Sequence, residues 1–318
     1  MPSFTSSSEI ERSTTFGRRG YAALLAVVSL LFAGVELASR YAFPRIDRGM
    51  RRNIAEVSAA LRVRKQADGL KRVIVVGNSL LDNGVRFDDA ARSLRPEIDA
   101  ARVMVPDTNY YDWYYGLRKL LAGGARPDTV VLMLSPRQLV ADRIRGDYSA
   151  CHMFLTSDVF RAARRLNLPN TETSNLMFAN FSAYFGDGGE IRKGIVRRTI
   201  PSLPALMALM THTEAPPLVA DDVFKTATNR LKELRELAAE WNTRIVLVVP
   251  PSGEPKCDTA YNEVQLAGVA AGVQVVVPVA AGSIPGSFYS DGFHLNPRGA
   301  ALFTPRFVEA VRKAVSEQ

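Results

Sequence analysis

The sequence predicts an α/β fold: a three-layer α/β/α sandwich around a central, mostly parallel five-stranded sheet, preceded by one N-terminal transmembrane helix. Three observations carry that expectation. Short β-branched runs recur at Arg72–Val76 (RVIVV), Thr129–Leu134 (TVVLML) and Arg244–Val249 (RIVLVV), the pattern of strands buried on both faces. Helical patterns separate them, which implies parallel βαβ units. Near the amino terminus an uncharged, almost wholly apolar run, Tyr21–Val35, stands apart from both patterns.

In chain order, residues 1–19 read as a disordered cytoplasmic tail, Ser/Thr-rich up to Thr15 and closed by Arg18 and Arg19. Residues 20–38 read as a signal anchor, near the lower length limit for crossing about 30 Å of hydrocarbon at 1.5 Å per residue. A cleaved signal is the alternative, but Gly34-Val35-Glu36-Leu37-Ala38-Ser39 contains no clean small-x-small site. Arginines flank the run on both sides, so the positive-inside rule does not choose an orientation. Residues 39–70 form a juxtamembrane helix and linker, with the helix over Arg45–Ala67. The main domain occupies 71–318. Its strands are Arg72–Val76, Ala101–Val105, Thr129–Leu134, Arg244–Val249 and Val273–Val277. Its helices cover Asp88–Leu94, Tyr111–Ala122, Asp221–Trp241, Asn262–Ala271 and Arg298–Val315. The stretch at about 140–220, rich in Asn, Pro, Gly and Arg, breaks the alternation and reads as an insertion with short helical patches.

A net charge of +8 and a pI near 9.6 fit a basic surface with membrane-flanking arginines, or attraction to anionic headgroups or an anionic envelope polymer. Nucleic acid is not expected as a partner, because no zinc-ligand spacing, RNP-like strand or long basic helix accompanies the charge. The two cysteines, Cys151 and Cys257, form no CxxC, and no metal or organic cofactor is expected. They form either a disulfide or two isolated thiols.

Functional groups of open α/β sheets gather at the carboxy ends of the strands. The first strand ends in Gly77-Asn78-Ser79, a sharp turn that presents a serine at a helix start. By itself this is equally a helix cap. Just before the last helix comes Asp291-Gly292-Phe293-His294. A serine nucleophile needs a base, and that base needs a carboxylate on its other ring nitrogen. His294 and Asp291 offer both from one loop, whereas His152 and His212, the other two histidines, lie in the insertion.

These blocks resemble the SGNH, or GDSL-like, hydrolase superfamily, whose fold is a flavodoxin-like sandwich. Gly77-Asn78-Ser79 with Gly84 matches its first block, with Asn in place of Asp. Asp291-x-x-His294, continued by Leu295-Asn296-Pro297-Arg298-Gly299, matches its last. The resemblance spans roughly Lys71–Gln318 and implies Ser79 as nucleophile, His294 as base and Asp291 as its orienting partner. The middle blocks depart. Pro106-Asp107-Thr108-Asn109 replaces the family's Gly, and Leu134-Ser135-Pro136-Arg137 its Gly-x-Asn-Asp. The oxyanion hole is therefore expected from the Ser79 amide with Asn109 or Thr108.

The same departures are similar to the D-alanyl transfer proteins of teichoic acid modification and to the SGNH proteins of exopolysaccharide O-acetylation. That similarity implies a single-pass protein of the cytoplasmic membrane with its catalytic domain in the periplasm or cell exterior. It implies a serine-dependent O-acyltransferase or esterase acting on an acylated envelope polysaccharide, partnered by a membrane-bound O-acyltransferase. The alternative is a non-catalytic binding or scaffold subunit of a glycan-modifying membrane complex. Sugar rings stack on aromatics, so Tyr110 and Trp113 in the cluster Tyr110–Tyr115 are expected to bind substrate, with Arg137 contacting an acidic glycan.

Overall fold

The computed structural model describes residues 17–66, 69–200, 218–253 and 258–317. Five parallel strands form one sheet: β1 Lys71–Gly77, β2 Ile98–Met104, β3 Thr129–Met133, β4 Arg244–Val248 and β5 Gln274–Val276. Their order is β2-β1-β3-β4-β5, every neighbouring pair being parallel. Side chains alternate between two cores. Ile74, Val76, Val130, Leu132, Ile245 and Leu247 face one layer of helices, while Val73, Val75, Val131, Met133, Val246 and Val248 face the other. Burial on both faces is why the strands are β-branched rather than alternately polar. The sandwich and the strand order agree with the expected flavodoxin-like α/β class.

The amino-terminal part begins with α1 (Arg18–Leu37), which buries none of its residues. A π-helical turn at Ala38–Ala42 and the short α2 (Phe43–Ile46) continue it. The stretch Arg18–Ile46 is the one described helix long and apolar enough to cross a membrane. Next comes α3 (Arg48–Ala60), capped by the Asp47 carboxylate on the Met50 amide.

The expected juxtamembrane linker is more than a spacer, because α3 covers the free edge of β2. Glu56 accepts a hydrogen bond from the Met104 amide at 2.8 Å and from the Arg102 guanidinium at 2.9 Å. An exposed strand edge invites pairing with other chains, and covering it removes that hazard. Arg52 also forks onto both oxygens of Asp82 at 3.0 Å. These contacts set the amino end of α3 beside the carboxy ends of β1 and β2.

One face of the sheet carries α4 (Ser79–Gly84), α5 (Phe87–Leu94) and the last helix; the other carries α6 (Tyr110–Ala122) and two long helices described below. After α7 (Pro136–Val140) the chain enters the insertion, which is more helical than its composition implies. It holds α8 (Asp147–His152), α9 (Thr156–Arg165), α10 (Asn170–Phe181) and α11 (Ala183–Thr199). Ala150, Phe154, Val159, Ala162, Leu176 and Ala179 are buried and extend the core beside α6. The remaining helices are α12 (Ala220–Ala239), α13 (Asp258–Ala271) and α14 (Pro297–Ser316). Cys151 packs against Gly186, where an added Cβ would meet its sulfur at 2.6 Å. Cys257 and His212 lie outside the described residues.

Candidate active site

The site is built at the point where the strand order reverses, between β1 and its neighbours β2 and β3, where open α/β sheets leave a crevice. Gly77 ends β1 because nothing larger fits: an added Cβ would sit 3.0 Å from the Met133 carbonyl and 3.1 Å from Leu81 Cβ. Asn78 follows, wholly buried. Its side-chain oxygen caps α4 by accepting from the Leu80 amide at 3.0 Å, while its Nδ2 donates to the Thr108 carbonyl at 2.8 Å. Asn78 thus ties the first turn to the loop after β2. Ser79 opens α4, and its carbonyl accepts from Asn83 Nδ2 at 2.9 Å.

The partner loop runs from Tyr289 to Leu295, which form an antiparallel bridge across its base. The His294 carbonyl accepts from the Ser290 amide at 2.8 Å and the Ser290 hydroxyl at 3.1 Å. Gly292 takes φ 80°, the left-handed conformation that glycine adopts at least cost. Asn296 then caps α14 through the Arg298 and Gly299 amides. Within this frame Asp291 Oδ1 accepts from the amides of Phe293 (3.0 Å) and His294 (2.7 Å), and Oδ2 lies 2.7 Å from His294 Nδ1. His294 Nε2 lies 2.8 Å from Ser79 Oγ. The serine, imidazole and carboxylate are joined in series at hydrogen-bond distance, in the order a serine nucleophile requires.

Partial burial works against the Asp291 carboxylate, but bonds from the His294 amide and ring and the Phe293 amide outweigh it. The carboxyl is held below its usual range. An ionised Asp291 fixes the proton of His294 on Nδ1 and leaves Nε2 as an acceptor facing Ser79.

The other expected site residues stand outside this series, although Thr108 adjoins the first turn through Asn78. Tyr110 and Trp113 are core residues, not sugar platforms: both are fully buried in the stripe Tyr110, Trp113, Leu117 and Leu121 along α6. The Tyr110 hydroxyl donates to Glu233 at 2.5 Å. Burial and the neighbouring Glu233 carboxylate push its pKa upwards. Thr108 and Asn109 are also buried and committed inside the fold. The Thr108 hydroxyl donates to the Val105 carbonyl at 2.7 Å. The Asn109 amide donates to Asp112 at 2.8 Å, and the Asn109 side chain caps α6 in a capping box. These bonds engage the Thr108 hydroxyl proton and the Asn109 backbone N–H, and leave the Asn109 side-chain Nδ2 outside them. Arg137 is exposed at the start of α7, beyond the carboxy end of β3. Ser135, beside it, is engaged in a capping box with Gln138.

Two features escaped the sequence reading. Asp107 adopts φ 56°, so the turn after β2 is made without a glycine by a residue type that tolerates the left-handed region. Phe293 is exposed and packs edge-on against the His294 ring at 5.1 Å between centroids. Its position inside Asp291-x-x-His294 was the available signal. A separate cleft of about 430 Å³, lined by Lys65, Asp128, Arg235 and Arg244, opens at the amino-terminal end of the sheet, away from Ser79.

No family model matches the chain, and no curated protein matches it by sequence. Among solved structures it is similar to one described as the crystal structure of TesA. That match has 11% identity and a TM-score of 0.38, covering 77% of this chain and 98% of that one. It is also similar to the lipase Lip_vut3 from a goat rumen metagenome, at 11% identity and a TM-score of 0.36, covering 76% of this chain and 97% of that one.

Proposed function

We propose that the protein is a membrane-anchored serine acyltransferase or esterase working through an acyl-Ser79 intermediate. The observation that carries this reading is the unbroken series Ser79–His294–Asp291, with contacts of 2.8 and 2.7 Å. Ser79 Oγ attacks the carbonyl of an acyl ester while its proton passes to His294 Nε2. The imidazolium is held by Asp291 and returns that proton to the departing alkoxide. An acceptor hydroxyl, from a glycan or from water, then loses its proton to His294, attacks the acyl-serine and restores Ser79. The acyl acceptor proposed is an envelope polysaccharide on the extracytoplasmic side, and the proposed source of the acyl group is a membrane-bound O-acyltransferase. Support for this part comes from the resemblance of the two end blocks and from α1. On the same basis, residues 20–38 are proposed as an uncleaved anchor and 71–318 as the catalytic domain.

A second reading, a non-catalytic subunit that keeps the fold, is favoured by the commitment of the Thr108 hydroxyl and the Asn109 backbone N–H to bonds within the fold. Losing one oxyanion donor costs about a hundredfold or more in rate. Reaction with a fluorophosphonate probe separates the two readings. Labelling of the wild type that disappears in Ser79→Ala supports the enzyme; a folded wild type that takes no label overturns it. A carboxy-terminal reporter active only in the cytoplasm would overturn the orientation.

A further inference from the structure

The insertion exposes an apolar surface that the chemistry at Ser79 does not use. Where α10 meets α11 at Ser182, Phe178, Phe181, Tyr184 and Phe185 are 59%, 61%, 43% and 46% exposed. Phe185 packs with Phe178 and Tyr184 at 5.9 and 5.6 Å between centroids. Large exposed aromatics gathered at one corner of a fold mark an interaction surface rather than chance exposure.

What covers this corner follows from where it is tied. Glu36, near the end of α1, accepts from the Ser182 hydroxyl at 2.6 Å, the Ala183 amide at 2.9 Å and the Tyr184 amide at 3.2 Å. Arg40 donates to the Phe181 carbonyl at 2.8 Å, and Phe32 lies 6.4 Å from Phe185 between ring centroids. Along a helix rising 1.5 Å per residue, Phe32 stands about 20 Å from Arg19. In a hydrocarbon core of about 30 Å this leaves Phe32, and Phe185 beside it, roughly 10 Å below the far boundary. Interfacial elements bury their apolar faces to about that depth. Aromatic side chains favour the same layer.

The charges agree. Arg45, Arg48 and Arg51 on the stretch after α1, and Arg192 on α11, are all exposed, placed for anionic headgroups. Glu36, about 4–5 Å below the same boundary by this count, would be costly there without partners, and the start of α11 supplies them.

We infer that the α10–α11 corner is a membrane-docking element, its aromatic face seated in the leaflet from which α1 emerges. The inference rests on α1 spanning the bilayer. It adds a second attachment point that holds the catalytic domain down on the lipid surface.

The test uses the full chain, one copy per nanodisc of phosphatidylcholine and phosphatidylglycerol, with tryptophan placed by Phe185→Trp, Leu31→Trp or Val269→Trp. The wild-type signal of Trp113 and Trp241 is subtracted. Leu31 is exposed on α1, and Val269, 82% exposed on α13, reports a face with no claimed lipid contact. Lipids brominated high on the acyl chains should quench Phe185→Trp several-fold more than Val269→Trp, while Leu31→Trp is quenched as a residue of a spanning helix. Leu31→Trp quenched with Phe185→Trp no more affected than Val269→Trp would overturn the docking and leave the anchor standing. Absence of quenching at Leu31→Trp would overturn both. Because a disc holds a single copy, quenching at Phe185→Trp also excludes a second chain as the cover. Labelling at Ser79 is unaffected by any of these outcomes, so failure here is distinct from failure of the catalytic reading.

Discussion

Replacing Asp291 by Asn changes a single heavy atom, yet it should disable the series at Ser79. In the native loop Oδ1 takes the amides of Phe293 and His294, and Oδ2 faces His294 Nδ1. An asparagine that keeps the first two bonds must turn its NH₂ towards Nδ1. That nitrogen then has to accept, and the imidazole proton moves to Nε2. His294 now donates to Ser79 and can no longer take its proton. The flipped amide avoids this only by setting its NH₂ against two backbone N–H groups. Each unsatisfied donor costs about 1–2 kcal/mol in so exposed a loop, and roughly 1.4 kcal/mol is a factor of ten. Labelling by a fluorophosphonate should therefore slow by about a hundredfold to a thousandfold, approaching the loss seen when a triad carboxylate is lost elsewhere. The assay is the second-order labelling rate at neutral pH, with thermal unfolding alongside to show that the variant is folded. A folded Asp291→Asn protein labelled within about threefold of wild type, less than roughly 1 kcal/mol, would refute the role given to Asp291.

Gly77→Ala would push a methyl group against the Met133 carbonyl and Leu81; a loss of about 1–3 kcal/mol and slower Ser79 labelling are expected from unfolding and probe kinetics. Phe303→Ala empties a fully buried position between α14 and the sheet and should cost about 3–5 kcal/mol, read as a lowered Tm. In the insertion, His152 Nε2 lies 2.6 Å from Asp187 Oδ1. Burial opposes the imidazolium, but hydrogen bonds to Asp187 and Cys151 outweigh it and lift the pKa to about 9. A raised native pKa means stability that is complete below about 6.5, the unfolded value, and is lost as pH rises through about 9. Wild type should therefore lose a few kcal/mol across that window, whereas Asp187→Asn should show a flatter profile in thermal unfolding at the two ends.

The strands were legible because burial on both faces demands β-branched runs, and Val73–Val76, Val130–Val131 and Ile245–Val249 meet that demand without relying on distant residues. The two end blocks were legible for a related reason: each is local, and each carries its geometry in a few consecutive residues. Tyr110 and Trp113 were misread because an aromatic cluster serves a core as readily as a ligand. Their spacing with Leu117 and Leu121, a helical stripe, was the better guide. Thr108 and Asn109 end in internal bonds because the same polar groups that stabilise an oxyanion also cap a helix. The edge cover by α3 was out of reach of pattern reading, since it depends on Glu56 meeting Arg102 and the Met104 amide across the fold. The insertion's helices were obscured by glycine and asparagine, tolerated there because their packing partners lie on neighbouring helices.

The Arg52–Asp82 fork and the Glu56 bonds have a consequence for reach. A domain on a slack leash sweeps a volume and meets whatever drifts through it. Here the helix leaving the anchor is riveted to the end of the sheet that carries Ser79. With α1 in a bilayer, these bonds would hold Ser79 at one stand-off height from the lipid surface. Selectivity then begins before any contact is made: an ester held at that height is met again and again, and one far above the surface is not met at all.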